Sequence, residues 1–168
     1  SKELLDQWEK NGQDLKRIKT RRCIINAKTR GILDYGETDL ISNLDMLPFP
    51  DYSDLPLRKY TGFFALPILT SRGCSYRCKF CVDRLAICQG TYRERSIGNV
   101  LKEVIHLRES YSIKGLYFCD SSLNASLPRL TSLCKGLIEV ERKIGKPLYW
   151  GGDIRASPLS KEVLKRMC

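Results

Sequence analysis

113-IKGLYFCDSSLNASLPRLTSLCKGLIEVERKIGKPLYWGG-152 reads as strand, helix, strand. Ile113 to Cys119 holds a strand with LYFC at its core. Ser126 can cap a helix that has Pro128 in its first turn and turns Leu130, Leu133, Leu137, Ile138 and Ile144 inward. Leu148 to Gly151 is the next strand. The same pattern continues on both sides. Upstream, 63-FFALPILT-70 is strand-like, and Ser96 can cap a helix with Val100, Val104, Leu107 and Tyr111 at helical spacing. Downstream, Ser160 opens a helix that runs to Cys168. The result is βαβαβα with a repeat of roughly 35–50 residues, which predicts a parallel sheet with right-handed crossovers. Ligands of such sheets sit beyond the carboxyl ends of the strands. Three polar segments fall there: residues 71–95 after the first strand, 120-DSSLN-124 after the second and 153-DIRAS-157 after the third. Their placement predicts one shared site. Pattern alone does not separate an open sheet from a segment of a barrel.

The first of these segments carries 74-CSYRCKFC-81, a C-x3-C-x2-C triplet made of Cys74, Cys78 and Cys81. Three thiolates can hold three corners of a cubane iron–sulfur cluster, for which four ligands are usual. The remaining iron then stays open, as the open position of a catalytic zinc does. Six basic residues (Arg72, Arg77, Lys79, Arg84, Arg93, Arg95) crowd this loop against Asp83 and Glu94. A thiolate-bound cluster is anionic, and cations beside it stabilise it. Two bland readings stand beside this one. The charges can be an ordinary solvated surface, and the cysteines can be a zinc knuckle with Cys88 as the fourth thiolate.

The triplet, with Phe80 before its last cysteine, resembles the signature of radical S-adenosylmethionine (SAM) enzymes. The stretches 44-LDMLPFPDYSDLPL-57, 66-LPILTSRGCSYRCKFC-81 and 92-YRERS-96 resemble the cobalamin (B12)-binding branch of that superfamily. The resemblance implies an α/β fold: a partial (β/α) TIM-like barrel, about three βα units of a six-unit core, preceded by a small α+β segment. It implies that residues 1–43 are the tail of, or connector from, an upstream domain, that 44–62 are a Pro-rich linker, and that 63–168 are the N-terminal half of the core. The expected cofactors are a 4Fe-4S cluster on Cys74, Cys78 and Cys81, SAM chelating the open iron, and cobalamin held by an upstream domain. The implied chemistry is reductive cleavage of SAM to start radical reactions, with cobalamin-dependent methyl transfer and ring closure both open. An electron donor such as flavodoxin or ferredoxin is the implied partner. Phe80 resembles the aromatic whose backbone approaches the adenine. Asp120 ends the second strand, where the family contacts the SAM ammonium, although the Gly-Gly-Glu form of that motif is not present. Arg155 after the third strand could fork onto the SAM carboxylate. For these three residues, loop packing, helix entry and a surface salt bridge are the competing readings. Arg93 and Arg95 resemble a family element without an assigned contact.

The rest of the chain sets bounds. With 168 residues, 42% of them hydrophobic, it can bury a core. No apolar stretch approaches the roughly 20 residues of a membrane span, and residues 1–22 are charged throughout, unlike a signal peptide. Eight cysteines in this setting fit a reducing compartment, the cytoplasm. Cys119 and Cys134 lie in apolar patterns and read as small buried hydrophobes. The net charge of +10 admits nucleic acid as a partner, but its distribution is uneven. Residues 1–62 carry 11 basic and 10 acidic groups, whereas 63–168 carry 18 and 9. Upstream, residues 3–10 read as a helix ending at Asn11-Gly12, and 22–27 with 32–35 as a hairpin about Thr29-Arg30-Gly31. Pro48, Pro50 and Pro56 fix an extended linker whose Leu44, Met46, Leu47 and Phe49 suggest that it lies on a surface. Two other classes stay open: a non-enzymatic zinc or nucleic-acid-binding Cys-rich module, and an inactive truncated remnant.

Overall fold

A computed structural model describes residues 10, 24–26, 31–33, 40–59, 65–81, 91–157, 159 and 161–167. The chain divides into two compact units, Ser1–Ile41 and Ser42–Cys168. In the first unit, β1 (Ile24–Asn26) pairs antiparallel with β2 (Gly31–Leu33). The two strands of the expected hairpin pair, but Gly31, expected in the turn, stands in the second strand opposite Asn26; residues 27–30 lie outside the described residues. Of the helix expected over 3–10, Lys10 is helical and residues 3–9 lie outside the described residues.

The second unit holds a three-stranded parallel sheet of β3 (Ala65–Ile68), β6 (Gly115–Phe118) and β7 (Tyr149–Gly152), in that spatial order. Ala65 faces Gly115 and Gly115 faces Tyr149, in register to Ile68, Phe118 and Gly152. Cys119 N–H extends the ladder to Ile68 O at 2.8 Å. Between the first two of these strands, β4 (Ser71–Arg72) and β5 (Arg93–Glu94) form a short antiparallel pair. The sequence reading had 71–95 as one long loop. Two-residue strands are below what alternation can reveal.

Helices α1 (Ile97–Tyr111) and α2 (Leu127–Ile144) are the connections between parallel strands, and α3 (Lys161–Met167) follows β7. Ser96 caps α1 by accepting from Asn99 N–H at 3.1 Å, and Ser126 caps α2, with Pro128 in the first turn, as expected. Arg108 near the end of α1, and Arg142 and Lys143 at the end of α2, suit the negative end of each helix dipole. Both helices stop on a left-handed residue, Ser112 and Gly145. α1 packs on α2 and α2 on α3, so all three cover one face of the sheet. At Gly136 a Cβ would meet Leu101 Cδ1 at 2.4 Å, which is why α1 and α2 approach there.

Strand alternation sends Leu66, Ile68, Leu116 and Phe118 into the core with Val100, Val104, Leu107, Leu130, Leu133 and Leu137. Fully burying each such side chain stabilises by about 1.5–3 kcal/mol. Ile138, expected inward, is 47% exposed, because the buried stripe of α2 runs through Leu130, Leu133, Cys134, Leu137 and Val140 instead. Cys134 is buried as expected, but Cys119 is exposed. With Phe118 inward, the next side chain must fall on the opposite face, beside Tyr117. The strand order is sequential, with no reversal among the three strands. A closed barrel is not seen among the described residues. The linker does not float: Leu44 is buried, and Tyr52 and Leu57 pack on the core.

Candidate functional site

The site is built where the chain leaves β3. Asp120, just past the end of β6, is buried, and its carboxylate accepts from Thr70 N–H (3.1 Å), Thr70 Oγ1 (2.9 Å) and Ser71 Oγ. Three donors to one carboxylate tie the end of β6 to the first residues of the cysteine segment. Arg129 of α2 donates to Thr70 O at 2.9 Å. From the other side, Arg95 donates to Leu69 O (2.8 Å), to Asn99 Oδ1 and to the buried Glu103. The Arg95 backbone N–H reaches Thr70 O at 2.9 Å. Tyr92, bonded to Glu94 and Ser71, has its hydroxyl pushed up to about 12, first by burial and then by Glu94.

On this root stands the loop. Gly73, buried, takes φ +85°, a left-handed turn that frees the chain from β4 just before Cys74. Cys81 N–H bonds Cys78 O at 3.2 Å, so Lys79 and Phe80 form the corner of a tight turn with Cys78 and Cys81 at its ends. Phe80 is 92% exposed. Arg72, Arg77 and Lys79 of the same segment are also exposed. Cys74, Cys78 and Cys81 are free thiols, each half-buried. Among the described residues no three of His, Cys, Asp and Glu are close enough to hold an ion. Ordering of a metal site is coupled to binding, so the fit to an iron–sulfur group is one of donor chemistry: three accessible soft ligands on one rooted loop. Arg84 and Cys88 lie outside the described residues.

The other two polar segments meet this loop. Asn124, buried, accepts from Arg155 N–H at 2.8 Å and donates to Arg155 O at 2.9 Å. Ser122 Oγ donates to Asn124 Oδ1 at 3.1 Å, and Leu123 N–H reaches Asp153 O at 2.9 Å. The Arg155 guanidinium lies over the Tyr76 ring, 3.7 Å from its centroid. Tyr117 donates to Asp153 Oδ1 at 3.0 Å, and its hydroxyl is pushed up chiefly by that carboxylate. Cys119 shares this face, its thiol pushed up by burial and then by Asp120 and Asp153.

The structure therefore brings the cysteine loop, Asp120, Asn124 and Arg155 to one rim, as the strand order predicts. It gives two of the expected ligand contacts a different partner. Asp120 was expected at the SAM ammonium, but both of its oxygens are engaged by Thr70 and Ser71. Arg155 stacks on Tyr76, although stacking uses the face of a guanidinium and leaves its N–H edge for a carboxylate. Arg95 belongs to the scaffold under the loop. Tyr76 and Asn124 were not singled out by sequence reasoning, which saw them only as members of 74-CSYRCKFC-81 and 120-DSSLN-124. A hollow of about 790 Å3 lies at the opposite end of the sheet beside Lys114, Lys143 and Lys146. Arg108 there is spent on the carbonyls of Ile113, Lys146 and Pro147.

No family model matches the chain. An uncharacterised methyltransferase of Pyrococcus horikoshii is 30% identical over 168 residues, which is 99% of this chain and 35% of that protein. Cytidylyl-2-hydroxyethylphosphonate methyltransferase of Streptomyces wedmorensis is 28% identical over 112 residues, 60% of this chain and 21% of that one. The chain thus spans about a third or less of the curated relatives it matches. Among solved structures, the radical SAM methyltransferase TsrM from Kitasatospora setae, with cobalamin and a 4Fe-4S cluster bound, aligns with a TM-score of 0.55. That alignment has 24% identity and covers 61% of this chain and 18% of TsrM. The chain is related to proteins named as methyltransferases, and it shares part of its fold with a radical SAM enzyme.

Proposed function

We propose that residues 63–168 form the cluster-bearing part of a radical SAM methyltransferase. The observation that carries this is the position of three free, accessible thiols on one loop at the carboxyl end of a parallel sheet. A 4Fe-4S cluster held there by Cys74, Cys78 and Cys81 would keep one iron open and, when reduced, supply the electron that cleaves SAM. The protein's own part is placement. Asp120, Thr70, Ser71 and Arg129 root the loop. Phe80 offers an exposed ring and backbone to the adenine, and the N–H edge of Arg155 offers a fork to the SAM carboxylate. Arg72, Arg77 and Lys79 place positive charge around an anionic group. The methyltransferase names of the relatives support methyl transfer over ring closure. Cobalamin carried outside this chain, an electron donor of the flavodoxin or ferredoxin kind and a reducing cytoplasm complete the reading.

The test is anaerobic reconstitution. We expect a brown protein that absorbs near 400 nm and carries about four irons and four sulfides per chain. Cys74→Ala, Cys78→Ala and Cys81→Ala each abolish loading, while Cys134→Ala, a core residue, does not. A colourless protein that takes up zinc, or equal loss from Cys134→Ala, overturns the assignment.

A further inference from the structure

Tyr76 sits between the first two cysteines of the loop, and its half-buried ring carries the guanidinium of Arg155 at 3.7 Å from the centroid. Arg155 is exposed, but its backbone is fixed. Asn124, itself 1% exposed, grips the Arg155 backbone at both N–H and C=O. Ser122, also buried, donates to the same amide oxygen and so orients Asn124. A continuous chain of contacts therefore runs from the buried loop after β6, through the segment after β7, to the ring between Cys74 and Cys78. The root at Thr70 and Ser71 holds the loop at its base, and this contact holds it near its middle.

We infer that Asn124, Arg155 and Tyr76 form a clamp that positions the cysteine loop, with Tyr76 and Asn124 as positioning residues for the thiols. It deepens the cluster reading, but its geometry is a property of the polypeptide, so it can be tested without metal. The measurement is hydrogen exchange of residues 73–81 in the full natural chain, metal-free. A cation on an aromatic face at an accessible site holds a contact closed by about two- to fivefold. Tyr76→Leu and Arg155→Gln should each speed exchange of this segment by that factor. The double variant should go no faster than either, because both remove one contact. Tyr76→Phe, which keeps the ring, should exchange like the parent. Arg155 is exposed and Tyr76 half-buried, neither in the hydrophobic core, and far-UV circular dichroism confirms that each variant folds. Parent-like exchange in either single variant, or effects that multiply in the double variant, overturns the clamp. The cluster reading is separable: a parent that takes up no iron but shows this exchange pattern refutes the cluster and leaves the clamp standing.

Discussion

Asp120 is the residue whose role the surroundings decide. A buried carboxylate is costly unless its oxygens are satisfied, and here Thr70 and Ser71 supply three donors. Removing it leaves those buried donors unpaired, at a cost of about 1–3 kcal/mol. We expect Asp120→Ala to lower the melting temperature by several degrees and to loosen the cysteine loop. Asp120→Asn should do so less, since one amide oxygen still accepts. An unchanged melt combined with weakened SAM binding would return Asp120 to the ligand role that its position after β6 first suggested. Sequence could place Asp120, Arg155 and the three cysteines on one rim, because strand order dictates that. It could not say what each side chain touches. Hydrogen-bond partners 50 residues away, such as Thr70 for Asp120, depend on a register that no local pattern encodes. Tyr76 left no signal of its own, since a ring in a loop reads as packing until its partner is known.

Among the elements, the linker holds two carboxylates whose hydrogen bonds keep them low, Asp45 and Asp51. Asn43 caps the short 3-10 turn Leu44–Met46, and Asp45 accepts from Ser96 N–H at 2.9 Å, joining the linker to the start of α1. Asp51 accepts from Tyr111 Oη (2.8 Å) and Ser53 N–H (2.9 Å), and Tyr111 Oη in turn accepts from Tyr52 N–H. Asp51 is held below its ordinary 3.8, first by Ser53 N–H and then by the Tyr111 hydroxyl. Asp45 is held low chiefly by Ser96. A carboxylate with a depressed folded value stabilises fully above its unfolded value and loses that contribution as pH falls through the folded one. We expect the linker to loosen as pH drops below 3.8, seen as faster proteolysis of 44–59. Tyr111→Phe should loosen it already at neutral pH and flatten this acid response, whereas an unaltered response would exclude the Asp51–Tyr111 contact as its cause. The caps at Ser96 and Ser126, the three sheet strands and the helix stripes were legible because they are local and periodic. The β4–β5 pair was not, and Cys119 was misplaced because an apolar neighbourhood was read without counting strand parity.

At the scale of the whole molecule, what matters is the surface left outside the packed layer of sheet and helices. β7 has no strand partner on its outer side among the described residues, and the sheet face away from the helices shows Tyr117 at 42% and Tyr149 at 58% exposure. On the helical side, Ile138 and Leu164 are 47% and 43% exposed. A strand edge that lacks a partner strand among the described residues, with apolar flanks, is a template for another chain. The same surface is what further strands would cover if the sheet continued toward a barrel. We therefore expect the 168-residue chain by itself to self-associate, with a sedimentation coefficient that rises with concentration. Lysine on a strand edge discourages such pairing by the cost of burying its charge. Tyr149→Lys should accordingly shift the chain toward monomer without unfolding it, because that side chain lies outside the core. A chain that sediments as a monomer at every concentration and melts cooperatively would show that its own residues already cover this edge. The continuation of the sheet toward a barrel would then have to be abandoned.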